Sequence, residues 1–322
     1  MNRFTMGLVM CLVGSLAGGS DGYSAEVVEF FGYTNCIRLK NDSTVVTLCP
    51  AAGGRVLEYS LDGKNSLYLD ESEKGFVYEE GKRSAMSGGR FDIGPEMIIP
   101  PRPQLWMGRW KGEITSKLSA RMTSVQDTAT GVQLIRDFVL SDSGTELKCS
   151  QTIKNISDEP KEWCHWSRTF ALGNGICVIP LSKTTRFPKH YVMYEGRKIN
   201  FMADDDSIQR KGDYLLVTDV PKQPKLGMDS KVGWFAYLMR NDLMFVKRYQ
   251  TFPNRVYNEA AGLTISIWYP KNNCVELEPI GPREYLQSGE TATFTETWTL
   301  KPFAFPAHAD ELDLEEVAAA SK

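Results

Sequence analysis

The chain has 322 residues, 42% of them hydrophobic and 24% charged, with 37 Lys and Arg against 40 Asp and Glu and a net charge of −3. That is globular composition, so disordered, collagen-like and coiled-coil chains are excluded. No Lys/Arg-rich block is present to displace counterions from phosphates, which argues against nucleic acid as a partner. The histidines His165, His190 and His308 lack HxxxH-type spacing, so neither a multi-histidine metal site nor any cofactor is expected.

In chain order, Arg3 precedes an apolar run over residues 6–16, then small and turn residues up to Ala25. Residues 1–25 read as a secretory signal peptide, too short to span a bilayer as a mature helix. The expectation is an exported protein, periplasmic or extracellular, with no integral membrane segment. Removal of that segment leaves Cys36, Cys49, Cys149, Cys164, Cys177 and Cys274. One or two disulfides and buried free thiols fit equally well. From 26 to 302, period-two segments bounded by Gly, Pro, Asn and Asp recur without helical periodicity, predicting one all-β domain. Asp62-Gly63 and Arg240-Asn241-Asp242 read as hairpin turns. Residues 82–103, rich in Gly, Pro, Met and Arg, read as a long irregular loop of the kind that binds ligands or acts as a lid. In 291–300, Ala292, Phe294, Trp298 and Leu300 face one way and threonines the other, with Glu296 an exception on the apolar face. Residues 303–322 read as an acidic C-terminal tail, helical or disordered.

Three clusters place polar and aromatic groups where a β scaffold rarely needs them. The first joins Gly88, Gly89, Arg90 and Glu96 to Arg102, Trp106, Arg109 and Trp110. Arginine forks bind hydroxyl or carboxylate oxygens and tryptophan faces bind flat apolar surfaces, although the same residues also suit a loop covering a core edge. The second runs from Glu162 through His165 and Arg168 to Phe170. A lone histidine among aromatics is either a core residue or a proton donor, and Arg168 either a ligand contact or a structural ion-pair partner. The third is 274–282, where alternation sets Glu276 and Glu278 together on one face. Lining a cleft, they would raise one another's pKa as acid–base chemistry requires; on a solvated edge they would do nothing.

The segment Asn155-Ile156-Ser157-Asp158-Glu159-Pro160 leading to His165 and Phe170 resembles the "N-x-S-D-x-P … H-x-x-F" segment of the galactose mutarotase (aldose 1-epimerase) superfamily. The segments 275–279 and 286–290 with the final Thr-rich strand resemble its C-terminal end, and Gly89-Arg90 is similar to its "G-R" motif. The order of pieces is most similar to exported bacterial domain-of-unknown-function proteins assigned to that fold. The resemblance implies a β-supersandwich of antiparallel sheets with a carbohydrate cleft. It also implies base and acid roles for Glu278 and His165 and a hydroxyl clamp at Arg90, while the three clusters add Glu96, Trp106, Arg168 and Glu276 as expected substrate contacts. The epimerases carry an additional histidine between the "G-R" and "H-x-x-F" segments, and residues 91–164 contain none. Expected function is therefore carbohydrate binding, either with epimerase-like Glu/His chemistry or as a non-catalytic glycan-recognition module.

Overall fold

The computed structural model describes residues 23–82, 86–271 and 273–322, with the backbone alone at 271. The first 22 residues of the expected signal peptide lie outside the described residues. Ser24 and Ala25 already pair with Lys40 and Leu39, so the β structure starts one or two residues inside the segment read as signal.

Among the described residues, twelve strands form one antiparallel sheet. Its order is β1 (Ser24–Phe30), β2 (Tyr33–Lys40), β3 (Thr44–Cys49), β4 (Arg55–Leu61), β6 (Gly89–Gly94), β11 (Lys161–Leu172), β21 (Cys274–Leu286), β20 (Ile265–Lys271), β17 (Lys225–Met228), β13 (Val192–Glu195) and β14 (Lys198–Asn200), with β5 (Lys64–Asn65) added to β4. A second sheet of ten runs β15 (Ile208–Lys211), β16 (Tyr214–Val217), β12 (Ile176–Pro180), β18 (Trp234–Met239), β19 (Leu243–Tyr249), β22 (Thr291–Pro302), β10 (Leu147–Asn155), β9 (Val132–Leu140), β8 (Ser119–Thr123) and β7 (Lys111–Ser116). The expected all-β architecture of packed antiparallel sheets is what the chain forms.

Local chemistry accounts for the connections. Asp62 and Gly63 both take positive φ, as a two-residue hairpin between right-twisted strands requires, and they join β4 to β5. Asn155 caps the β10–β11 turn: its amide donates to Glu159 O and Leu286 O, and its carbonyl oxygen accepts from Ser157.

The sheets bury their facing sides against one another. Phe91, Ile93, Ile265, Ile267, Val275 and Leu277 of the large sheet meet Phe138, Phe245, Phe294 and Trp298 of the small one. A charged pair is built into this layer. Lys247, with no exposed surface, donates to Thr169 Oγ1 at 2.7 Å and to Ser167 Oγ and Leu277 O at 3.2 Å, and pairs with Glu296 at 3.1 Å. Glu296 also accepts from Gln151 and Trp298 Nε1. The exception in the β22 pattern is thus the counter-ion of a buried lysine. Burial of either charge is tolerated only because the other is present.

One expectation is corrected here. The irregular loop over 82–103 contains β6, a fully buried central strand. Its alternation of Arg90 and Asp92 with Phe91 and Ile93 is hidden by flanking glycines that the packing demands: a Cβ on Gly89 would sit 2.9 Å from Trp298, and one on Gly94 2.9 Å from Trp166. In residues 303–322 the helical alternative is the one formed, and the segment packs on the sheet. Leu312 and Val317, the latter on helix α2 (Leu314–Ala320, numbered after α1, Pro103–Met107), pack with Ile176, Val178, Leu238 and Val246 on the outer face of the small sheet. An apolar outer sheet face needs such a cover.

Candidate functional site

The site lies on the outer face of the large sheet, where period-two alternation sends every second side chain of five neighbouring strands. Arg90 and Asp92 come from β6, Trp166 and Arg168 from β11, Glu276 and Glu278 from β21, Ser266 from β20 and Lys225 from β17. Cross-strand register puts Arg168 beside Arg90, Trp166 beside Asp92, and Glu278 beside Ser266.

Arg168 is the hub. Its guanidinium donates to Glu276 at 2.8 and 3.3 Å, lies 3.5 Å from Glu278 Oε1, and lies 3.5 Å from Asp92 Oδ2. Asp92 is held in turn by Arg102, whose Nε donates to Oδ1 at 2.7 Å. Lys225 pairs with Glu96 and sits 4.7 Å over the Trp166 ring. Both glutamates of β21 have no exposed surface. Burial, and then the neighbouring Glu278 charge, raise the Glu276 carboxyl well above the usual range against the pull of Arg168. Burial also opposes ionisation of Glu278, but the Lys225 and Arg168 cations and the neighbouring Glu276 outweigh it and hold this carboxyl at about 2. The two titrate as a coupled pair, with burial and the shared Arg168 cation acting on each in opposite directions.

Beside the pair opens a cleft of about 540 Å³ lined by Tyr78, Lys82, Met86, Arg102, Trp106 and Arg168. Trp106, on α1, forms its wall. Its ring packs against the guanidiniums of both Arg90 and Arg168, at 4.5 and 4.8 Å. The backbone under it is fixed by Gly53, at φ +69°, where a Cβ would come within 2.0 Å of Trp106 O. Another concavity of about 400 Å³, lined by residues such as Arg186, Asp229 and Arg255, touches none of these groups.

The residues expected to act together divide clearly. Glu276, Glu278 and Arg168 meet directly, Glu96 joins through Lys225, and Trp106 walls the cleft. Arg90, expected as a hydroxyl clamp, is 1% exposed and spends its donors on Ser87 O, Trp106 O and Glu73. It supports Trp106 from behind, because Glu73 also binds Arg55 at 2.6 Å and fixes both guanidiniums beneath the surface. His165 does not face the site. It occupies the opposite side of β11, fully buried, stacked on Phe91 with centroids 5.9 Å apart, and its Nε2 bonds Ala292 O at 3.1 Å. Burial depresses it to about 4, so it is a neutral core imidazole and cannot pass a proton to a ligand beside Glu278. Strand alternation is the reason: with Arg168 and Trp166 outward, residue 165 must point inward. Trp110 is likewise a core residue, packed over Gly54.

Sequence reasoning missed Lys225, Trp166, Tyr194 and Glu259 as members of the site. Glu259 is buried beside them, accepting from the Glu96 N–H at 2.8 Å and from Tyr194 Oη at 3.1 Å. Burial, helped by the Glu96 charge, raises it to about 7. Asp92 had a readable signal in the Arg90/Asp92 alternation. Lys225, Tyr194 and Glu259 come from short strands and a loop with no local signature. Among the described residues no group of three or more His, Cys, Asp and Glu side chains is gathered as a metal ion would need.

No protein-family model and no curated protein matches the chain. Solved structures do. The Slr1438 protein of Synechocystis sp. PCC 6803 superposes with a TM-score of 0.58 at 13% identity, over 85% of this chain and 99% of that one. A galactose mutarotase-like protein of Lactobacillus casei gives 0.58 at 12%, over 83% and 100%. A galactose mutarotase-like protein of Clostridium acetobutylicum gives 0.54 at 11%, over 88% and 99%. Matches that span nearly the whole partner chain at such low identity speak to architecture alone, and the chain has the galactose mutarotase-like fold.

Proposed function

We propose that this protein binds carbohydrate in the cleft beside Trp106, with Arg168 and Arg102 presenting donors to sugar oxygens and the Trp106 and Tyr78 rings receiving the apolar face. The observation that carries the reading is the Arg168 hub. One guanidinium lines an open, aromatic-walled cleft while resting on two fully buried carboxylates. Buried carboxylates hold a cation in one orientation, and a preoriented donor binds at lower entropic cost. The likeness to mutarotase-like folds supports a sugar as the ligand, and the apolar run over residues 6–16 supports export as the setting.

Acid–base turnover of the epimerase kind is the second reading, favoured by the opposite shifts of the neighbouring carboxyls Glu276 and Glu278. A carboxylate held at about 2 is a weak base at neutral pH, and the expected histidine acid is on the far side of the strand, so binding is the stronger reading.

Calorimetric titration with a panel of neutral and charged mono- and oligosaccharides tests the proposal. At least one sugar should bind, and Trp106→Ala, checked for folding by circular dichroism, should weaken it tenfold or more. Absence of heat with every sugar, or unchanged affinity in that variant, would overturn the reading. Anomer exchange followed by NMR for wild type, Glu278→Gln and His165→Asn separates the second reading. Turnover lost in Glu278→Gln and kept in His165→Asn would establish it, and rates equal to buffer for all three would dismiss it.

A further inference from the structure

The six cysteines outside the expected signal segment are all buried thiols, and two of them share one position in the sheet. Strands β2 and β3 pair antiparallel with Ile37 opposite Leu48, Arg38 opposite Thr47 and Leu39 opposite Val46. The ladder ends at Ile37–Leu48, and extending its register by one step sets Cys36 opposite Cys49. Directly opposed residues of an antiparallel pair have Cα atoms about 4.5 or 5.5 Å apart, and both spacings fall inside the window that a disulfide spans. The two side chains also occupy the same small apolar cluster, with Tyr33, Ala52 and Leu57.

We propose that Cys36 and Cys49 are an oxidisable dithiol that closes to a cross-strand disulfide, stapling the β2–β3 hairpin. The chemistry is asymmetric in a way that suits exchange. The Cys36 Sγ lies 3.9 Å from Tyr33 O and 4.0 Å from Phe30 O, and the neighbouring Cys49 thiol together with burial pushes its pKa up. The Cys49 thiol is drawn down by the adjacent Cys36 thiol, by the Arg55 cation and by the Ala51 and Ala52 backbone N–H groups, against the opposing effect of burial. Of the two, Cys49 is accordingly the better attacking thiol. It displaces one thiolate from a disulfide oxidant such as oxidised glutathione, forming a mixed disulfide. Cys36 then attacks the Cys49 sulfur, releasing the second glutathione thiol. In sum two protein thiols and one glutathione disulfide become one protein disulfide and two glutathione thiols.

The staple lies at the root of the ligand cleft. Cys49 is paired in register with Arg55, the same arginine that binds Glu73, and Glu73 holds Arg90 behind Trp106. Closing the hairpin therefore braces the chain that carries Gly53 and the floor under Trp106.

The test uses the full chain with oxidised glutathione, at a urea concentration below its unfolding transition so that the edge strands open. After quenching by alkylation under denaturing conditions, trypsin separates the two cysteines, because Arg38 and Lys40 lie between them. The expected product joins the fragment ending at Arg38 to fragment 41–55, with the combined mass less two hydrogens, and dithiothreitol returns both fragments. The urea midpoint of the oxidised protein should rise. Cys149→Ser should keep the link, while Cys36→Ser and Cys49→Ser each abolish it. Full alkylation of both thiols, a stable glutathione adduct without the link, or a link to another cysteine would each overturn the assignment.

Discussion

Replacing Arg168 with Met keeps the length and apolar stem of the side chain and removes the single guanidinium that Glu276, Glu278 and Asp92 share. Asp92 retains Arg102, but Glu276 loses both of its 2.8 and 3.3 Å donors, and Glu278 loses the cation at 3.5 Å. Both glutamates are wholly buried, so water cannot replace the lost partner. Breaking a buried ion pair by removing one member costs roughly 3–5 kcal/mol. The Arg168 side chain is only 14% exposed, so solvent screening removes little of that. The effect must depend on pH with a definite sign. Without Arg168, burial and the Glu278 charge raise the folded-state pKa of Glu276 still further above that of the unfolded chain, while Lys225 goes on favouring the charged form of Glu278. A group so raised loses stability as pH rises through the folded pKa and regains it as pH falls. Urea unfolding of wild type and Arg168→Met, followed by tryptophan fluorescence at pH 8 and pH 5, should therefore show the larger deficit at pH 8, by about 1 kcal/mol or more. Adding Glu276→Gln should restore part of it, since the amide carries no charge. A deficit below about 1 kcal/mol, or one that does not change between the two pH values, would refute the charge-hub reasoning.

Two further outcomes follow from the same faces. His165→Phe fills the space between Phe91 and Phe294 and gives up one hydrogen bond to Ala292 O; it should cost about 1–2 kcal/mol in urea unfolding and leave sugar affinity within twofold, whereas a tenfold loss would return His165 to the site. Val317→Asp puts an unpaired carboxylate under α2, against Val178 and Leu238; it should release residues 303–322 to limited proteolysis and raise the binding of an apolar fluorescent dye, and no change in either would show that this segment is not the cover of the small sheet.

Alternation was readable wherever both kinds of residue repeat. It revealed β10 and β22, the common face of Glu276 and Glu278, and Glu296 as an anomaly, although only the neighbouring strand β19 of the same sheet supplied Lys247 as its explanation. The same rule, applied to β11 with a known outward residue, would have turned His165 inward, but nothing in the local sequence says which of Arg168 and His165 faces out. Strand β6 was missed because its end glycines, required by the indole rings of Trp298 and Trp166, read as a loop until those rings are in place. Residues 303–322 looked polar because their apolar members, such as Leu312 and Val317, are spaced for a short 3₁₀ turn and a short helix and find their partners on a distant sheet face.

What the sequence determined by itself was local: period-two strands, the positive-φ hairpin at Asp62-Gly63, and two carboxylates two residues apart on one face. Those follow from backbone stereochemistry and side-chain periodicity, which neighbours in the chain already specify. Only the tertiary structure decided that this face is buried beneath Arg168 and Trp106, that Lys225 and Glu259 join it from distant segments, and that Cys36 meets Cys49. Burial, charge pairing and cross-strand register depend on residues far apart in the chain, and they come into being only when the sheets are assembled.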